Sequence, residues 1–217
     1  MTHIAFDWDG TIAKKEAVEE ANIRRCKTLD ISIPLEKLRE MQKTHAHYEI
    51  NKEAIRKYTG VTDERIQTII MTNLFHLHYL GVVNEWKERV LYPGMKEVLK
   101  ELKKAGTTMS IVTTLRTDIV EPTLEVLGMR NFFGAVYGNT PDLIYKKEDL
   151  LKKALTDCGE VHMMIGDREE DMKAGRAVKA KTAFAGWGHG ELTDKKLADT
   201  ILKSPKDILT FTKSSPT

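Results

Sequence analysis

His3-Ile4-Ala5-Phe6-Asp7-Trp8-Asp9-Gly10-Thr11 is the stretch that decides the fold, because a short apolar run ends there in two acids. If the run from Ile4 to Trp8 is a β-strand, Asp7 and Asp9 project from the same side of it, since side chains alternate with a period of two. Carboxylates beside buried apolar residues need a counter-charge or take up a proton. Gly10 then permits a tight turn and a close approach of the backbone to a bound group. The stretch therefore predicts a bound cation with an anion behind it.

The composition predicts a soluble intracellular protein with a substantial core. The chain has 217 residues, of which 41% are hydrophobic and 30% charged, a balance typical of globular proteins. Its 34 basic and 32 acidic residues leave a net charge of +2, so we expect no nucleic-acid partner and no attraction to anionic lipid. No apolar run approaches the roughly 20 residues that span a bilayer. The two cysteines, Cys26 and Cys158, indicate no disulfide framework, and we expect a cytoplasmic location.

The region after the first strand changes character. Residues 14–90 have helical periodicity and no strand signal, which indicates an all-helical insertion. Thr62 is placed to cap a long helix within it. The apolar stripe predicted for that helix is Ile66, Ile69, Ile70, Leu74 and Leu77. We therefore predict a core domain of residues 1–13 and 91–217, with a helical domain of residues 14–90 inserted in it.

The remainder of the chain alternates strands and helices. Strands are predicted at 107–113, 135–137, 161–165 and 182–185, with helices of about ten residues between them. This alternation is typical of the α/β class, here a Rossmann-like parallel sheet with helices on both faces. Ligands of such sheets bind beyond the carboxyl ends of the strands.

Polar side chains collect at these predicted carboxyl ends. They are Asp7 and Asp9 after the first strand, Thr113 and Thr114 after the second, Lys146 and Lys147 before the helix leading to the fourth, and Asp167 and Asp171 after the fourth. Acids, hydroxyls and a lysine at one edge predict a site for a cation and a phosphate group. Hard oxygen ligands favour Mg²⁺, which binds through a few carboxylates and substrate phosphate.

The same residues carry a resemblance to a known family. Asp7-x-Asp9-Gly10-Thr11, the strand ending in Thr113, Lys146, and Gly166-Asp167-x-x-x-Asp171 resemble, in order, the four motifs of the haloacid dehalogenase (HAD) superfamily. The resemblance covers the whole chain, and the helical insertion lies where that family has its type 1 cap. Tyr92-Pro93-Gly94, Gly186-Trp187-Gly188 and Ala198-Asp199 are similar to the phosphoglycolate-phosphatase-like branch.

The resemblance implies a Mg²⁺-dependent phosphatase that acts on a small phosphorylated metabolite. Asp7 would be the nucleophile, forming an aspartyl-phosphate, and Asp9 would protonate the leaving oxygen and then activate water. The implied metal ligands are Asp7, the Asp9 backbone carbonyl and Asp167; the implied phosphate-binding residues are Gly10, Thr113, Thr114 and Lys146; and Asp171 would orient the lysine or a metal-bound water. The helical cap would exclude water during transfer and set specificity.

The third motif leaves open which of two lysines contacts the phosphate. The family usually has Lys-Pro there, whereas this chain has Lys146-Lys147-Glu148-Asp149. We prefer Lys146 on its spacing to Leu150 and Leu151. The other departure is Ala13-Lys14-Lys15, where the family often has a polar Asp-Ser pair.

Other classes of function are weighed against this prediction. The same site would serve a phosphomutase or phosphotransferase acting on a sugar phosphate, and a catalytically silent HAD-fold binding protein is a third hypothesis. A calcium loop starting at Asp7 fails, because Ile12 and Val18 occupy its glycine and glutamate positions. The glycines at 186, 188 and 190 lack the spacing of a dinucleotide fingerprint and predict a flexible loop near the site. Neither the individual substrate nor the oligomeric state follows from the sequence.

Overall fold

The computed structural model describes residues 2–43, 47–141, 143–190 and 194–212. The chain forms two compact units, Met1–Lys15 with Lys87–Thr217, and Glu16–Trp86. The first unit contains the sheet and the second is helical. The cap role of the helical insertion stays a proposal.

A parallel six-stranded sheet forms the first unit, in the order β3-β2-β1-β4-β5-β6. Its strands are β1 (His3–Phe6), β2 (Thr108–Arg116), β3 (Ala135–Asn139), β4 (Met163–Gly166), β5 (Lys181–Ala185) and β6 (Thr200–Leu202). All four residues of β1 are buried, as expected for a central strand covered on both faces. The predicted α/β class with a parallel sheet is confirmed. Strand β6 was not predicted, because three residues show no periodicity of their own.

Four strands end at other residues than predicted, and the differences in β1 and β2 concern the site. β1 stops at Phe6 and not at Trp8, because the Trp8 carbonyl accepts hydrogen bonds from the Ile12 and Ala13 amides, both at 2.9 Å, and so forms a turn. β2 continues past Thr113 to Arg116, which pairs with Asn139 of β3 after a shift of register. The two acids therefore lie just beyond a strand, and Thr113 lies within one.

The helices of the described part of the chain are α1 (Lys15–Thr28), α2 (Leu35–Lys43), α3 (His47–Thr59), α4 (Glu64–Trp86), α5 (Met95–Lys104), α6 (Thr117–Val126), α7 (Lys147–Cys158) and α8 (Glu169–Ala177). Side chains of α7 and α8 bury one face of the sheet. Leu150, Leu151 and Ala154 of α7 share a hydrophobic cluster with Ala5 of β1 and Met164 of β4. None of these helices combines the length and the apolar character that crossing a bilayer requires.

Two predictions about α4 are wrong. Asp63 caps the helix in place of Thr62, since its Oδ1 accepts the Ile66 amide at 3.0 Å. The predicted apolar stripe is broken, because Ile66, Ile69 and Leu77 are 46%, 47% and 65% exposed. Ile70 and Leu74 do pack against the cluster of Leu29, Ile55 and Met71. Apolar residues occur on several sides of α4, so residue type alone did not identify its buried face.

Candidate active site

Three of the predicted acids meet beyond the carboxyl ends of the central strands. Asp7 follows β1 directly, and its amide donates to the Ile165 carbonyl of β4 at 2.8 Å. Asp167 follows β4, and Asp171 lies in the first turn of α8. All three are buried, and one carboxylate oxygen of each lies within 4.8 Å of the others.

Lys147 is the basic residue of this cluster. Its Nζ lies 2.8 Å from Asp7 Oδ1 and 2.6 Å from Asp171 Oδ1. Glu170 Oε1 is further away, at 3.5 Å. Lys147 is buried, whereas Lys146 is exposed and occupies the N-cap position of α7. The structure therefore places Lys147, and not the preferred Lys146, among the acids.

The helical period explains why Lys147 points inward. Leu150, Leu151 and Ala154 are the buried residues of α7, and they follow Lys147 by three, four and seven positions. Residues at these spacings share one face of a helix. The spacing of Lys147 to the two leucines therefore indicates, from the sequence alone, that this lysine faces inward.

Asp9 lies in the turn after Asp7. Its Oδ1 is buried and has no hydrogen-bond partner in the part of the chain that the structure describes. Burial, reinforced by the negative charge of Asp167 and opposed by Lys147, raises the pKa of Asp9 to about 7. A carboxyl group with such a pKa is able to donate and to accept a proton near neutral pH.

The pKa values of the other residues in this cluster are also shifted. Burial raises the pKa of Asp7 to about 6 and that of Asp171 to about 7, although the Lys147 charge opposes both shifts. Burial likewise raises the pKa of Asp167, against a backbone hydrogen bond from His189. Burial disfavours the charge of Lys147, but Asp171 and Asp7 outweigh that effect and raise its pKa. The lysine is thus cationic, and the cluster carries more acid than one lysine neutralises.

Gly10 brings the backbone against Asp167. Its φ of +82° belongs to the left-handed region, and a Cβ at this position would lie 2.2 Å from Asp167 Oδ2. The Gly10 amide donates to the Ala13 carbonyl at 2.8 Å and closes the turn. The predicted close approach of the backbone at Gly10 is thus to a carboxylate of the site.

The predicted loop around residues 186–190 is packed against the same carboxylate. The His189 amide donates to Asp167 Oδ2 at 2.8 Å, and the Trp187 indole donates to the Thr11 carbonyl at 2.9 Å. A Cβ on Gly188 would lie 2.4 Å from both Asp167 Cβ and the Gly10 carbonyl oxygen. His189 was missed as a site residue because its contact is made by the backbone. The alternating glycines were the only signal in the sequence.

The two threonines differ in their placement. Thr113 is buried, and its Oγ1 accepts the Leu115 amide at 3.1 Å. Phe6 of β1 pairs with Ile111 of β2, so Thr113 lies two residues beyond that pair, at the carboxyl end of the sheet. Thr114 is exposed, and its carbonyl accepts the Asn139 side-chain amide at 2.6 Å.

The donor set suits a hard divalent cation. Asp171 is held by Lys147 and by the Arg168 amide, whose nitrogen lies 2.9 Å from Asp171 Oδ2. Asp167 Oδ1, by contrast, is buried and has no hydrogen-bond partner among the described residues. Oxygen donors with uncompensated negative charge are the ligands that Mg²⁺ prefers. Asp167 therefore fits a divalent metal, and a carboxylate oxygen of Asp7 lies near enough to share it.

A Rossmann-like parallel sheet with acids and a lysine beyond its carboxyl ends is typical of α/β proteins that bind their ligands at this edge. The chain belongs to the haloacid dehalogenase-like hydrolases, because the profile of that family matches residues 4–185. The family inferred from the four motifs is thereby confirmed, and the chain is an enzyme of the hydrolase class.

Individual relatives support the same branch. The chain is 24% identical to a phosphoglycolate phosphatase from Aquifex aeolicus, over 96% of this chain and 95% of that one. It is 30% identical to the pyrophosphatase PpaX of Bacillus velezensis, over 86% of this chain and 84% of that protein. A haloacid dehalogenase-like hydrolase from Streptococcus pneumoniae has the same fold, with a TM-score of 0.70, 22% identity and coverage of 97% and 98%.

Proposed function

We propose that this protein is a Mg²⁺-dependent phosphatase that hydrolyses a small phosphomonoester through an aspartyl-phosphate intermediate. The observation that carries the proposal is the buried contact of Lys147 with both Asp7 and Asp171, beside Asp167. Phosphatases among the relatives support the same reaction class. An intact nucleophile, a cation and an acid of raised pKa argue against a silent binding protein.

Asp7 and Asp9 divide the covalent chemistry between them. An Asp7 carboxylate oxygen attacks phosphorus, a P–O bond forms to Asp7, and the ester P–O bond breaks. Protonated Asp9 gives its proton to the departing alkoxide oxygen. Ionised Asp9 then takes a proton from water, whose oxygen attacks phosphorus and displaces Asp7, releasing inorganic phosphate. A pKa of about 7 suits Asp9 to both steps.

The remaining residues hold charge in place. Lys147 contacts the phosphoryl oxygens, whose charge is spread during transfer. Thr113 and Thr114 provide further contacts to those oxygens, and Asp171 orients Lys147. The Gly10 amide, expected from the resemblance to bind phosphate, instead donates to the Ala13 carbonyl. Asp7, the Asp9 carbonyl and Asp167 would hold the metal, and bound Mg²⁺ would offset the repulsion between carboxylate and phosphate.

The substrate we propose is a small phosphorylated metabolite. The phosphoglycolate phosphatases among the relatives make phosphoglycolate the first compound to assay. We retain a cytoplasmic location as part of the proposal, since Cys26 and Cys158 are both free thiols.

The test is a phosphomonoester screen with and without Mg²⁺. We expect the wild type to release phosphate only with the metal, and Asp7→Asn to lose activity by on the order of 10⁴-fold or more. Asp157→Asn is the matched control, because Asp157 is an exposed acid in the last turn of α7. Unchanged activity of Asp7→Asn would remove Asp7 from the mechanism.

A further inference from the structure

Arg25 of α1 is a buried cation in the helical unit. The residue is 3% exposed, and its Nε and Nη2 atoms are buried without a hydrogen-bond partner. Across residues 2–43, 47–141, 143–190 and 194–212, no carboxylate forms an ion pair with it. A buried guanidinium normally requires such a partner, because losing its hydration is costly.

Two other arginines of the helical unit show the usual arrangement. Arg24, next to Arg25 in the chain, lies 2.8 Å from Glu20 and 2.8 Å from Glu85. Arg39 lies 2.8 Å from Glu19. These two are more exposed than Arg25 and yet are paired with acids. Of these three arginines, the most buried one is therefore the one that has no carboxylate partner among the described residues.

The surroundings of Arg25 orient its guanidinium but do not neutralise it. The guanidinium carbon lies 5.8 Å from the centre of the Phe75 ring, a cation–π contact. Burial lowers the pKa of Arg25, and only Cys26 and Tyr48 oppose that shift. Burial also raises the pKa of the Cys26 thiol, which is therefore neutral at physiological pH. The face of the Phe75 ring offers no oxygen acceptor for the N–H groups of Nε and Nη2.

We propose that Arg25 is an anion-binding residue of the helical unit, and that it binds a carboxylate or phosphate group of a small molecule. A planar guanidinium with unpartnered N–H groups binds such oxyanions in a bidentate manner. Two sources share this chemistry. One is the non-reacting anionic group of the substrate, an identification that rests on the phosphatase function proposed above. The other is a free metabolite anion.

Thermal unfolding tests the anion site without any catalysis. Wild type, Arg25→Met and Arg24→Met are compared in EDTA, with sodium glycolate or sulfate against sodium chloride of equal ionic strength. We expect glycolate or sulfate to raise the unfolding midpoint of the wild type and of Arg24→Met by about 2 °C or more. Arg25→Met should show no such rise, and without the anions it should be at least as stable as the wild type.

An anion response of Arg25→Met equal to that of the wild type would overturn the proposal. If Arg25→Met does not fold, Arg25→Lys is tested in its place. This variant keeps the positive charge but loses the planar guanidinium, so the anion should raise its unfolding midpoint by less than that of the wild type. An undiminished response in that variant would equally count against an anion site at Arg25.

Kinetics identify the source of the anion. Phosphoglycolate carries a second anionic group, whereas ethyl phosphate does not. If the substrate supplies the anion, Arg25→Met lowers kcat/KM for phosphoglycolate by on the order of tenfold or more, mainly through KM, and leaves ethyl phosphate nearly unchanged. Equal effects on both compounds assign the site to a free anion. If the wild type hydrolyses no phosphomonoester, the proposed function fails, while the unfolding experiment still decides the anion site.

Discussion

Lys147 is the residue on which the geometry of the site depends, because it contacts both Asp7 and Asp171. We expect Lys147→Met to lower kcat/KM by on the order of 10²- to 10³-fold, as loss of a donor to a developing anion does in other enzymes. Lys146→Met is the control, since Lys146 is exposed at the N-cap of α7. Steady-state kinetics on a phosphomonoester measure both variants. A comparable loss in Lys146→Met would return the phosphate contact to that residue.

Asp9 allows a second prediction at the same scale. Because its pKa is raised to about 7, it holds a proton for the leaving group near neutral pH. We expect Asp9→Asn to slow phosphoenzyme formation by about 10²- to 10⁴-fold on an alkyl phosphate. The loss should be much smaller on p-nitrophenyl phosphate, whose leaving group needs little protonation. Rapid-quench labelling of the enzyme measures this step, and equal losses on the two substrates would contradict the acid role of Asp9.

At the scale of elements, the loop of residues 186–190 positions Asp167, which we propose as a metal ligand. A Cβ on Gly188 would overlap Asp167 Cβ and the Gly10 carbonyl. Displacing a group that orients a ligand typically weakens metal binding by about 10- to 100-fold. We therefore expect Gly188→Ala to bind Mg²⁺ more weakly, as measured by calorimetric titration.

Gly81→Ala is the matched control for that loop variant. Gly81 lies within α4, and a Cβ there would meet no atom within 4 Å. Alanine is also favoured over glycine in a helix interior by roughly 0.5–1 kcal/mol. The control should therefore bind Mg²⁺ normally and be no less stable than the wild type. Unaltered Mg²⁺ affinity in Gly188→Ala would show that the loop does not hold Asp167 in place.

The start of α4 provides another prediction about an element. Asp63 Oδ1 accepts the Ile66 amide, so Asp63→Ala should lower the free energy of unfolding by about 1 kcal/mol. Thr62→Ala should change it by much less, because Thr62 precedes the cap. Urea denaturation compares the two variants, and a larger effect of Thr62→Ala would restore the cap position predicted from the sequence.

For the whole molecule, the raised pKa values couple stability to pH. Burial raises the pKa values of Asp7, Asp9 and Asp171 from 3.8 to about 6, 7 and 7. The folded protein thus binds more protons than the unfolded chain between about pH 4 and 7. The contribution of these three groups to stability is greatest below their unfolded pKa and falls as pH rises through this window.

We therefore expect the midpoint temperature of unfolding in EDTA to decrease as the pH is raised from 5 to 8. Mg²⁺ should stabilise the protein more at pH 8 than at pH 5, because its ligands must be ionised. Asp9→Asn should flatten the pH dependence in EDTA, since it removes one titrating group. Thermal unfolding in both conditions measures these effects. A midpoint that rises with pH in EDTA would show that the acids are not desolvated as described.

Much of the core fold was predictable from local pattern. The central strands are short apolar runs buried on both faces, and such runs stand out in a sequence. Strand β6 (Thr200–Leu202) and the buried face of α4 were not predicted. Strand β6 was missed because a strand of three residues shows too little periodicity. The buried face of α4 was missed because this helix has apolar residues on several sides.

The sequence by itself determined that acids follow the central strands, and the spacing of its four motifs indicated the family. Both signals are local, since each depends on residues a few positions apart. The helical spacing of Lys147 to Leu150 and Leu151 also indicates that Lys147, and not Lys146, faces the acids. Only the tertiary structure decided that the His189 amide holds Asp167, and that no described carboxylate pairs with the buried Arg25. Both findings depend on which positions far apart in the chain come close together. That approach is decided by tertiary packing, which local periodicity does not encode.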